Sequence, residues 1–136
     1  MVPVKISADP NDPEVQAIAV FLRVLNALEN IRSSMNVAER GVGMTREEDA
    51  RDLAALALAE CIDAIEVLSA GALERTIEPG VLSARANLVA ARLLLELAAT
   101  NVPRPVDTLL REAVGRLKAA RSELAVKSTL PLSYQN

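Results

Sequence analysis

The chain contains no histidine and no tryptophan, a single cysteine, and only two aromatic residues, Phe21 and Tyr134. Each absence removes a class of chemistry. Without histidine the commonest general acid–base is missing, and so is the commonest metal ligand at neutral pH. Serine and cysteine nucleophiles lack the imidazole that usually activates them. The near-loss of aromatic rings removes the platforms on which nucleic-acid bases stack. With Cys61 alone, no intrachain disulfide forms. The apolar stretches are broken by Arg or Glu well short of the ~20 residues that a membrane span needs. No N-terminal segment joins a basic start to a long apolar run, so a secretory signal is not expected. The one glycine-paired stretch, "GVG" at Gly41–Gly43, lacks the lysine and the preceding strand of a phosphate-binding loop.

What remains is a 136-residue chain that is 51% hydrophobic and carries a net charge of −3. That length fits one domain able to build its own core. The charge is unevenly spread. Residues 1–75 are acidic, net −6, and residues 76–136 are basic, net +3. Acidic and basic helices packed side by side account for such a split without a nucleic-acid partner.

Periodicity divides the chain into four helical segments. After an extended arm over residues 1–12, with a short strand expected at Val2–Ile6, helix one runs from Pro13 to Arg40 behind the cap Asp12. At about 100° per residue, Ala17, Ile18, Phe21, Val24, Leu25, Leu28, Ile31 and Met35 share a face. Gly41 suits the end of this helix. Helix two starts at "TREE", where Thr45 and Glu48 have capping-box spacing, and runs to Ala70. Its apolar face is Leu53, Ala54, Ala57, Leu58, Cys61, Ala64, Ile65 and Leu68. Helix three spans Val81 to Thr100. "TNVPRP" then breaks the chain. Helix four covers Val106 to Lys127, with Val106, Leu109, Leu110, Ala113, Leu117, Ala120 and Leu124 on one face. A tail of residues 128–136 has no helical period, although Leu130, Leu132 and Tyr134 give it material for docking. The expected fold is all-α: a single antiparallel four-helix bundle with an N-terminal arm and a C-terminal tail.

Two features depart from a plain bundle. Helix three is apolar on two sides, whereas a surface helix buries a stripe somewhat over 100° wide. Leu82, Ala86, Val89, Ala90, Leu93 and Leu97 make one sector; Leu88, Ala91, Leu94 and Leu95 make another. The second group is taken as the interface of a homo-oligomer, most simply a two-fold dimer; the alternative is that the N-terminal arm or the leucine-bearing tail covers the sector left outside. The other feature is Arg32, which falls within the apolar face of helix one. It is expected to snorkel, to pair with Glu60, or to hold an anionic ligand.

On helix two, "AECIDAIEVL" spaces Glu60, Asp63 and Glu66 three apart. Asp63 and Glu66 point away from the apolar face and read as solvated. Glu60 lies at its boundary and needs a specific partner. "ECID" also resembles half of the Glu-x-x-Glu/Glu-x-x-Asp signature of MazG-type nucleotide pyrophosphohydrolases, all-α oligomers that hydrolyse nucleoside triphosphates with Mg²⁺. That resemblance implies Glu60 and Asp63 as metal ligands. The preceding helix departs from the pattern: Glu29 and Glu39 stand apart, and Arg32 occupies the place of the second acid. Helical HEPN ribonucleases need an Arg followed closely by His, so their active site is excluded. Cys61 sits mid-face and reads as core. On helix four, Arg111, Lys118 and Arg121 line one flank and Arg116 the other. That arrangement suits a solvated face or pairing with acidic helix two.

The sequence thus leads to a cytoplasmic, non-enzymatic interaction, adaptor or regulatory protein that self-associates, without a cofactor. Its protein partner is not identified, and neither a membrane nor a nucleic acid is expected as partner. The alternative is a Mg²⁺-dependent pyrophosphohydrolase-like enzyme with carboxylates on helix two.

Overall fold

A computed structural model of the chain describes residues 12–70, 79–100 and 103–125. It is all-α: α1 (Pro13–Gly41), α2 (Glu47–Leu68), α3 (Pro79–Ala99) and α4 (Val106–Ala125), with no strand among the described residues. Sequential helices pack antiparallel and α1 closes against α4, so the order around the bundle is α1–α2–α3–α4. Helices α1 and α3 therefore occupy diagonal corners. The expected arm with its strand at Val2–Ile6 and the tail of residues 128–136 lie outside the described residues.

The helix ends follow local chemistry. Asp12 caps α1 through its side chain, accepting from the Glu14 amide at 2.9 Å, and Pro13 opens the first turn. The expected capping box of α2 does not form: Arg46 is its N-cap and makes no side-chain capping bond. Instead the acids Glu47, Glu48 and Asp49 sit in the first turn, where the helix dipole favours negative charge. Glu47 also accepts from Arg51 at 2.7 Å, one turn on. The turn between α1 and α2 depends on Gly43 (φ 80°), a backbone conformation that costs glycine nothing. Gly41, expected to be the terminal cap, is instead the last residue of α1 and is buried.

The core is built from leucines and many alanines. Leu109, Leu110, Leu117 and Leu124 of α4 are fully buried, as that helix's periodicity predicts. Opposite them stand Ala27 and Ala38 of α1, Ala54, Ala57 and Ala64 of α2, and Ala84, Ala91 and Ala98 of α3, all with no exposed surface. Small side chains at these positions let neighbouring helices approach one another closely. Such proximity permits polar ties across helix seams. Ser34 Oγ of α1 donates to the Ala57 carbonyl of α2 at 2.7 Å. The Cys61 thiol of α2 donates to the Leu88 carbonyl of α3 at 3.4 Å. Ser83 Oγ and Asn87 Nδ2 of α3 donate to Glu123 Oε1 of α4 at 2.7 and 3.3 Å. Lys118 of α4 approaches Glu39 of α1 at 3.9 Å.

Two expected faces are turned from their predicted settings. On α1 the buried set is Val24, Ala27, Ile31, Ser34, Met35 and Ala38, while Ile18 and Leu25 are exposed. The short residues Ala27, Ser34 and Ala38 face the neighbouring helices, and this rotates Arg32 out of the apolar face. The basic flank of α4 meets α1 rather than acidic α2, because α2 and α4 are diagonal.

Gly115, in the middle of α4, is exposed, and a Cβ placed there would meet nothing within 4 Å. Glycine at an exposed helix-interior position costs roughly 1 kcal/mol relative to alanine. Gly115→Ala is therefore expected to stabilise the fold by about 0.5–1 kcal/mol, read as a higher urea midpoint at unchanged slope. A lower midpoint would show that the position serves a contact a methyl group disturbs.

Candidate functional site

The structure separates the residues that the acidic row brought together. Asp63 and Glu66 are exposed and form no ion pair among the described residues. Glu60 is half-buried at the edge of α2 and likewise has no ion pair or side-chain hydrogen bond there. Arg32 does not reach it. The Arg32 side chain is 69% exposed and approaches Glu29, one turn back on α1, at 3.9 Å. Among the described residues no three Asp, Glu or Cys side chains gather in a group able to hold a metal ion. Glu29 and Glu39 thus do not supply the second acidic pair that the Glu60/Asp63 resemblance requires.

Cys61 lies in the core with no exposed surface. Burial pushes its thiol up to about 12, against a smaller opposing pull from the Arg92 guanidinium. At neutral pH it is a protonated donor to the Leu88 carbonyl, not a nucleophile. Asp107, in the first turn of α4, makes a two-way polar junction on the surface. Its Oδ1 accepts the Gly43 amide at 2.6 Å and its Oδ2 accepts Arg111 Nε at 2.7 Å. These two bonds, the Gly43 amide first, hold its carboxyl below the ordinary value of 3.8. The contact pins the α1–α2 turn to the start of α4; it is a structural tie rather than a site.

Helix α3 carries the feature that remains. The sector named for the interface packs inside the chain: Leu88, Ala91 and Leu95 have no exposed surface and Leu94 is half-buried. The exposed apolar residues of α3 belong to the other sector, of which Leu97 is half-buried against the core. Leu82 (46% exposed), Ala86, Val89 (47%) and Leu93 (56%) run along the outer face of α3, one or two turns apart and directly opposite the core. This setting has a physical cause visible in the flanks. Ser83 and Asn87 are drawn to Glu123 on α4, and Arg85 donates to Ser69 Oγ beyond the end of α2 at 3.4 Å. With polar side chains tied to both neighbours, the sector between those flanks is inside and the other is outside.

The outer stripe continues sideways through Ala90 and Leu94 into an open groove of about 580 Å³ between α3 and α4. Gly115 and Ala119 form its far wall, and Glu112 and Arg116 stand at its rim. Arg116 Nη1 is oriented by the Asn87 side-chain oxygen at 3.2 Å. A second, smaller apolar stripe, Ile18, Leu22 and Leu25, lies on the outer face of α1 at the diagonal corner. A soluble monomer rarely exposes contiguous apolar patches beyond a few hundred Å².

Comparison with protein-family models, with curated proteins and with solved structures gives no match to this chain. No helix among the described residues is long and apolar enough to cross a membrane.

Two outcomes test this description. In native protein Cys61 is expected to resist a thiol reagent at pH 8 and to react once urea unfolds the chain; rapid labelling of the folded protein would place it outside the core. The Asp107 tie carries a definite pH sign. A carboxyl whose folded pKa is depressed adds stability above its ordinary value near 3.8 and loses it as pH falls through the lower folded value. Asp107→Asn is therefore expected to melt lower than the native chain at pH 7, with the difference shrinking below pH 4.

Proposed function

We propose that this protein is a non-enzymatic interaction bundle that self-associates through the outer face of α3. One observation carries the reading: among the described residues Leu82, Ala86, Val89 and Leu93 form a continuous apolar line on the side of α3 away from the buried core. In water that line is a cost, and covering it with a like surface removes apolar area from solvent on both copies.

The size of the patch sets the strength expected. A stripe on the order of a few hundred Å² falls below the roughly 800 Å² per partner of a standard stable complex. Association is accordingly expected to be weak and reversible. A surface that opens and closes on this scale suits an adaptor or regulatory protein, whose α3 face is free for another protein when the homodimer parts. No cofactor is needed for this role.

Light scattering or sedimentation at tens of micromolar is expected to report a dimer that dissociates on dilution. Leu93→Glu, at a position outside the core, is expected to give a monomer with undiminished helical circular dichroism. A native chain that stays monomeric at these concentrations overturns the proposal. So does pyrophosphate release from a nucleoside triphosphate in Mg²⁺ that disappears in Glu60→Ala, which would establish the enzyme alternative instead.

A further inference from the structure

We draw no further inference here: the strongest candidate, the open groove between α3 and α4 beside the outer apolar face of α3, carries Arg116 and Glu112 together on its rim, so its charge favours neither an anionic nor a cationic occupant and nothing in the structure shows what covers it.

Discussion

The rotational setting of α3 is the constraint on which the rest of the molecule depends. This helix has apolar residues on both sides, so its own periodicity offers two nearly equivalent ways to face the bundle. Its flanks decide. Ser83 and Asn87 reach Glu123 on α4, and Arg85 reaches Ser69 at the end of α2. Those bonds accompany the setting in which Val81, Ala84, Leu88, Ala91, Leu95 and Ala98 point inward. The same rotation turns Leu82, Val89 and Leu93 to solvent. The core and the outer stripe are two consequences of one choice.

The inward set also suits its neighbours by volume. Leucine and alanine alternate along it, and it packs against the alanines and Cys61 of α2. Close approach at Ala57 and Ala64 is what brings the Cys61 thiol within reach of the Leu88 carbonyl, and Ser34 within reach of the Ala57 carbonyl. Each bond is modest, on the order of 1 kcal/mol net. Their placement, on the α2–α3 and α1–α2 seams, adds register to packing that alanines alone would leave slippery. The Asp107 junction does the same from outside, tying the α1–α2 turn to α4.

Much of this was legible in the sequence where one face was clearly apolar. On α4 every residue of the expected face, from Val106 to Leu124, is buried and Val114 joins them, and α2 agrees nearly as well because Leu53 to Leu68 leave one side unambiguous. Reading failed where the pattern was broad. On α1, Ile18, Leu25 and Arg32 were grouped with the core, since a wide apolar arc does not mark its own centre; the small residues Ala27, Ser34 and Ala38 mark it. A lone serine in a helix gives no signal of burial, so the place of Ser34 shows only in the structure. On α3 the sector taken as the interface is the buried one, although the polar flanks that decide the matter were present in the sequence as Ser83, Arg85 and Asn87.

By itself the sequence determined an all-α chain of four segments, their approximate ends, and the absence of histidine-based chemistry. These follow from local spacing, from proline and glycine placement and from composition, all of which act within a few residues. Which side of α3 is core and which is free was decided only in the tertiary structure. So was the fact that Glu60 and Arg32 lie apart. Both depend on how neighbouring helices rotate against one another, and that rotation is set by contacts between residues distant in the chain, such as Ser83 with Glu123.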